Sequence, residues 1–173
     1  MFKLVIFDLD GVLIRAKDIH YRALNTAIQK FGDQYVITRN EHLNFYDGLK
    51  TTAKLLKLTK EKKLPISSHD QIWSEKQKIT QKELHNLVPQ ENLTEIFEYL
   101  KSNHCKIACC SNSIRTTVYT ALSKIGAMPF MDLIISNEDV KNSKPHPEMY
   151  WNAMSIFSLN PEETLIVEDS PHG

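Results

Sequence analysis

The sequence predicts an α/β fold, a doubly wound parallel sheet with an inserted all-helical segment, and three observations carry that prediction. Four short strand-like runs, at residues 4–7, 106–110, 133–136 and 165–167, are each closed by polar residues or a polar loop. Between the last three, apolar residues recur at helical spacing, and helix alternating with strand implies a parallel sheet with crossover helices. Residues 15–88, in contrast, carry helical stripes and no convincing strand.

The first run organises the rest. Leu4-Val5-Ile6-Phe7 is unbroken, β-branched and aromatic, as suits a strand buried on both faces. Asp8 and Asp10 follow at i and i+2, then Gly11. Carboxylates at the end of a buried strand are costly without a cation or hydrogen bonds, and open α/β sheets place ligands at strand carboxyl ends. One acid of such a pair can attack as a nucleophile while the other manages a proton. Two solvated turn residues before a glycine are the plain alternative.

Composition bounds the function. With 173 residues, 42% of them hydrophobic, the chain can bury a core and suits one domain, or a core with a smaller insert. Lysine plus arginine and aspartate plus glutamate both number 21, which argues against a nucleic-acid footprint. Cys109 and Cys110 lie in an apolar segment and read as small core residues, with Cys105 a stray thiol near a helix end; the pattern favours a reducing compartment. Asp8 interrupts the first apolar run, so no signal peptide is expected, and no stretch approaches a membrane span. The expectation is a soluble, cytoplasmic protein, a monomer or weak dimer, with neither membrane nor nucleic acid as partner.

In chain order, Ile19, Ala23, Leu24, Ala27, Ile28 and Phe31 form a helical stripe over 18–31, closed by Gly32. A polar patch follows around Asp33 and Thr38-Arg39-Asn40. A second helix begins after Gly48 with Leu49, Ala53, Leu55, Leu56 and Leu58, and the charge run 60–63 reads as its solvated end. Pro65 breaks the chain. A third helix over 68–87 turns Ile72, Trp73, Ile79 and Leu84 inward. Leu93, Ile96, Phe97 and Leu100 mark an amphipathic helix over 92–103. Ser113 reads as the N-cap of a helix burying Val118, Ala121, Leu122 and Ile125 and stopped by Gly126. Lys144-Pro145-His146-Pro147 is a rigid loop with Pro147 at the first helical position, and Tyr150, Ala153, Met154 and Phe157 follow on a buried stripe. The core is therefore discontinuous, residues 1–14 and 89–173, and the helical insert 15–88 follows the first strand, where it can act as a lid.

Four polar groups stand at the strand ends: Asp8 with Asp10, Ser111 with Asn112, Lys144, and Glu168 with Asp169. In a parallel sheet these ends share one edge. Several carboxylates at one spot call for a divalent cation, and oxygen-only ligands point to Mg2+. A hydroxyl, an amide and a lysine beside such an ion fit a phosphoryl group. Each group alone has a plain reading as cap, turn or solvated loop lysine; their joint occurrence does not.

With these residues in place, the sequence resembles the haloacid dehalogenase superfamily. Its four motifs are matched by Asp8-Leu9-Asp10-Gly11-Val12, Ser111-Asn112-Ser113, Lys144-Pro145-His146-Pro147-Glu148 and Val167-Glu168-Asp169-Ser170. In position the insert is similar to the helical type C1 cap of phosphoglycolate phosphatase and β-phosphoglucomutase relatives. The resemblance implies a Rossmann-like core and a Mg2+-dependent phosphatase acting on a small phosphorylated metabolite. It implies Asp8 as the nucleophile forming an aspartyl-phosphate, and Asp10 as general acid and then base. Ser111 and Asn112 would bind the phosphoryl oxygens, and Lys144 would neutralise Asp8 and the phosphoryl charge. Asp8, Asp169 and the Asp10 carbonyl would ligate the metal, with Glu168 acting directly or through water. The acid at position 10 favours phosphatase or phosphomutase over dehalogenase chemistry.

Some positions depart from the family pattern. Arg15-Ala16 stands where relatives often carry an Asp-Ser pair. Tyr46-Asp47-Gly48-Leu49-Lys50-Thr51-Thr52 lacks the arginine that follows the glycine turn in mutase-like caps, which weakens the mutase reading; Lys50 or Lys54 are candidate substitutes. His20 matches a cap histidine that can face the site. The competing functions are a sugar phosphomutase and a non-catalytic module that kept the fold. The resemblance further implies that a full member continues beyond the fourth motif with a helix and another strand, so a C-terminally truncated form, with 165–167 at an apolar edge, is expected.

Overall fold

The computed structural model describes residues 2–170. These form two compact units, one joining the chain up to Arg15 with the chain from Leu84 onward, the other comprising Ala16–Glu83.

The first unit is built on four strands: β1 (Leu4–Phe7), β2 (Lys106–Cys110), β3 (Leu133–Ile135) and β4 (Thr164–Val167). They pair in parallel in the order β3-β2-β1-β4. β1 is central, and all four of its residues are buried, as an uninterrupted apolar run requires. The register sets Phe7 opposite Cys109 and Val167. The ladder runs on past the strand ends, because Asp8 N–H donates to the Val167 carbonyl (2.9 Å) and Ser111 N–H to that of Ile135 (2.9 Å). Side chains alternate across the sheet. Leu4, Ile6, Ala108, Cys110 and Ile135 pack with Met149, Tyr150, Ala153 and Met154 of the helix Glu148–Ile156. Phe7 instead meets Phe97 edge to face, at 5.6 Å between ring centroids, and Phe97 also lies against Phe130. β4 occupies one edge of the sheet, with Leu165 and Ile166 about 40% exposed.

The second unit packs α1 (Lys17–Gln29), α2 (Arg39–Glu41), α3 (Thr51–Lys62) and α4 (His69–Leu84). Leu24, Ala27, Ile28, Ile37, Tyr46, Leu55, Leu58, Leu64 and Ile72 make its core. The first unit continues with α5 (Glu91–Ser102), α6 (Arg115–Lys124) and α7 (Glu148–Ile156). Among the described residues no helix is long and apolar enough to cross a membrane.

Several local expectations are corrected. The polar patch after residue 33 is ordered: Thr38 and Glu41 form a reciprocal capping box on α2, and residues 42–46 make a π-helical turn. Asn25 holds this segment by bonding both the N–H and the carbonyl of Ile37. Trp73 is exposed, because the buried face of α4 runs through Ile72, Lys76, Thr80 and Leu84, every fourth residue, rather than through Trp73. Leu49 and Leu56 are likewise exposed, while Lys54 is buried. Ile96 is exposed, since α5 buries only Phe97 fully. Pro147 is the N-cap of α7 rather than its first residue. Ser113 does not cap α6; the cap position is Ile114, with no side-chain bond.

Phe97, 1% exposed, is wedged between two aromatic rings. Phe97→Ala should destabilise the chain by about 3–5 kcal/mol, read as a lowered denaturation midpoint in urea.

Candidate active site

The sheet register assembles the site. Because Phe7 sits beside Val167, the next residue on each strand, Asp8 and Glu168, emerge side by side at one sheet edge. Lys144, carried by the loop between β3 and α7, bridges them: its Nζ donates to Asp8 Oδ1 and to Glu168 Oε2, each at 2.7 Å. All three side chains are largely enclosed, with 4%, 9% and 13% exposure for Lys144, Asp8 and Glu168. Two contacts hold the lysine's surroundings. The Asn112 amide donates to the Lys144 carbonyl (3.0 Å), tying this loop to the end of β2. The Lys144 ammonium lies 5.2 Å from the ring centre of Tyr150, whose hydroxyl donates to Glu168 Oε2 (3.2 Å).

Glu168 uses its other oxygen to accept from the N–H groups of Asp169 and Ser170 (3.2 Å each), which shapes the loop that presents Asp169. Asp8, Glu168 and Asp169 each offer a carboxylate oxygen, and these oxygens lie within 4.8 Å of one another. Burial pushes the Asp8 carboxyl up; the pull of Lys144 only partly counters this, and Asp10 and Glu168 add to it, giving about 7. Burial opposes the Lys144 charge too, but the Asp8 carboxylate and hydrogen bonds to Asp8, Glu168 and Tyr150 outweigh it and hold the ammonium above the ordinary range. Carboxylates this close, one of them hard to ionise, suit a divalent cation with a preference for oxygen ligands.

Ser111 is fully buried, and its Oγ accepts from the Ser113 N–H (3.0 Å), leaving its own proton for a donor role. Asp10 is close enough for its charge to act on Asp8, and its Oδ2 accepts from the Ser113 hydroxyl (2.8 Å). Asp8, Asp10, Ser111, Asn112, Lys144, Glu168 and Asp169 thus all belong to the sheet unit. His20 belongs to the helical unit, where its Nδ1 lies 3.3 Å from Lys76 Nζ.

Sequence reasoning missed Tyr150 and Glu138. Tyr150 was legible only as part of a buried stripe, yet a buried tyrosine needs a partner for its hydroxyl, and Glu168 is that partner. Glu138 accepts from the Arg115 N–H at 2.6 Å, placing a carboxylate at the N-terminus of α6. Nothing in local spacing marks it, because the contact spans two segments.

The model of the haloacid dehalogenase-like hydrolase family matches residues 5–173. The chain is 25% identical to the phosphorylated carbohydrates phosphatase of Thermotoga maritima, covering 98% of this chain and 77% of that protein. It is 29% identical to the pyrophosphatase PpaX of Bacillus mycoides, over 97% of this chain and 75% of the relative. In fold it is similar to the crystal structure of β-phosphoglucomutase from Clostridium difficile, with a TM-score of 0.84 and 23% identity, over 100% of this chain and 78% of that one.

Gly11 ties the first motif to the last. Its φ is +112°, and a Cβ placed there would stand 2.1 Å from Asp169 Oδ2. Gly11→Ala should cost roughly 1–3 kcal/mol in backbone strain and push the Asp169 carboxylate aside. The check is denaturation with and without Mg2+: the variant should start from a lower midpoint and gain less from the added ion.

Proposed function

The chain belongs to the haloacid dehalogenase-like hydrolase family, and from that premise we propose that it is a Mg2+-dependent phosphatase of a small phosphorylated metabolite, of the sugar phosphate or phosphoglycolate class, working through an aspartyl-phosphate on Asp8. The observation that carries this reading is the buried Lys144 ammonium bridging Asp8 and Glu168 at 2.7 Å beside a third carboxylate, Asp169. Phosphoryl transfer needs positioning and charge neutralisation more than covalent help, and this arrangement supplies both. The relatives named as a phosphatase of phosphorylated carbohydrates and as a pyrophosphatase support the same chemistry.

In this reading an Asp8 carboxylate oxygen attacks phosphorus, and the bond to the leaving-group oxygen breaks as Asp10 gives that oxygen a proton. Water then attacks the aspartyl-phosphate, Asp10 takes the water's proton, and inorganic phosphate leaves with Asp8 regenerated. Lys144 keeps Asp8 oriented and balances the phosphoryl charge. Ser111 donates its hydroxyl proton to a phosphoryl oxygen, while Asn112 keeps the Lys144 loop against the end of β2. Asp8, Asp169, the Asp10 carbonyl and Glu168 are the groups that would hold Mg2+, which supplies positive charge to the phosphoryl oxygens when bound. The helical unit Ala16–Glu83, His20 included, is the proposed source of substrate selection. The segment after Gly48 reads Leu49-Lys50-Thr51-Thr52 and carries no arginine, which favours a phosphatase over a mutase.

Asp8→Asn preserves shape and removes the nucleophile. Phosphate release from a panel of sugar phosphates, phosphoglycolate and p-nitrophenyl phosphate should fall by at least roughly three decades, with an unchanged circular dichroism spectrum. Retention of more than about a tenth of the wild-type rate would overturn the nucleophile. Activity should also vanish in excess EDTA, return with Mg2+, and be inhibited by Ca2+, whose looser coordination suits the site poorly; full turnover in EDTA would remove the metal from the reading.

A further inference from the structure

Ser113 follows a strand and precedes a helix, where a serine ordinarily caps the helix N-terminus. Here that task is done elsewhere. The cap position is Ile114, and the Arg115 N–H is taken by the Glu138 carboxylate at 2.6 Å. An acid at this end also meets the helix dipole favourably. The Ser113 hydroxyl is therefore spared from the helix, and it donates instead to Asp10 Oδ2 at 2.8 Å, joining residues 103 positions apart.

The Ser113 backbone is held on both sides. Its N–H donates to Ser111 Oγ (3.0 Å), and its carbonyl accepts from the Asn137 N–H (3.2 Å). A hydroxyl on a fixed backbone restrains its acceptor. Asp10 sits at a turn, between the buried strand β1 and Gly11, and the Ser113 hydroxyl at 2.8 Å favours the side-chain rotamer that keeps Oδ2 within reach of it. We infer that Ser113 is a positioning residue: it holds the Asp10 carboxyl in the orientation from which a proton passes to the leaving-group oxygen, and it couples that orientation to Ser111. This rests on the roles proposed above for Asp8 and Asp10. With Oδ2 accepting from Ser113, the proton that Asp10 transfers is carried on Oδ1. It moves to the leaving oxygen as the P–O bond breaks, and a proton from the attacking water replaces it in the second step. Ser113 neither gains nor loses a proton over the cycle.

The distinguishing measurement is the dependence on leaving group. An ester with a strongly acidic leaving alcohol departs without protonation, and one with a weakly acidic alcohol does not. Ser113→Val and Ser113→Thr are close in size and differ in the hydroxyl. Both are compared with wild type for kcat/KM on a series of substituted phenyl phosphates, from 2,4-dinitrophenyl to unsubstituted phenyl. Ser113→Val should lose roughly tenfold more on phenyl phosphate than on the dinitrophenyl ester, through kcat rather than KM, and Ser113→Thr should restore most of the difference. Equal losses across the series, or a threonine variant as impaired as the valine variant, would overturn the role. So would loss of folded protein in both Ser113→Val and Ser113→Ala, since the hydroxyl would then be structural. Asp8→Asn separates the two levels: turnover retained there defeats the phosphatase mechanism, whereas an inactive Asp8→Asn with an unchanged series in Ser113→Val defeats only the role of Ser113.

Discussion

One buried cation holds the site together. Lys144 is almost wholly enclosed, and it satisfies Asp8 and Glu168 at once. Burial works against all three charges, so the arrangement is stable only because each is close to its opposite and hydrogen-bonded. Its influence spreads through Glu168. One oxygen of that carboxylate faces the lysine and Tyr150, and the other collects the N–H groups of Asp169 and Ser170. The same carboxylate that balances the lysine thereby shapes the loop carrying the third acid. Removing the ammonium would leave enclosed carboxylates facing one another, a much costlier state than the loss of one surface ion pair.

The parallel sheet makes this economical. Register brings Asp8 beside Glu168, the ladder bond from the Asp8 N–H to the Val167 carbonyl ties the two strand ends together, and side-chain bonds hold Glu168. Side chains of the loops after β2 and β3, strands that lie on the side of β1 opposite β4, then only have to reach inward. Membership of the haloacid dehalogenase-like hydrolase family and the proposed phosphoryl chemistry meet at this point: a reaction that depends on placing charges suits a scaffold whose strand ends place them by backbone geometry.

Much of this was legible in the sequence, for identifiable reasons. β1 is an apolar run closed by acids, and β2, β3 and β4 are each followed by polar residues, so strand positions and site residues were read from the same signal. What escaped notice was set by contacts between distant segments. Ile72 and Leu84 face inward on α4 as expected, but Trp73 does not, because burial follows the neighbours a helix meets rather than the size of its side chains. Ser113 had the local context of a helix cap, and only Glu138, supplied from beyond β3, freed it. Thr38 and Glu41 did carry a readable capping signature, hidden inside a patch that looked merely polar.

The discontinuity of the sheet unit bears on how the protein is made. β1 is the central strand, yet its two partners, β2 and β4, lie about 100 and 160 residues further along the chain. During synthesis β1 therefore leaves the ribosome with no strand to pair with. The helical unit, whose buried cluster is drawn from Leu24 to Ile72, can condense first. Closing such long loops costs entropy before any ladder bond is gained. The apolar stretch Leu4–Phe7 is thus a point of vulnerability to aggregation until β2 and β4 follow it, and the acids at its end must wait as long to find their surroundings.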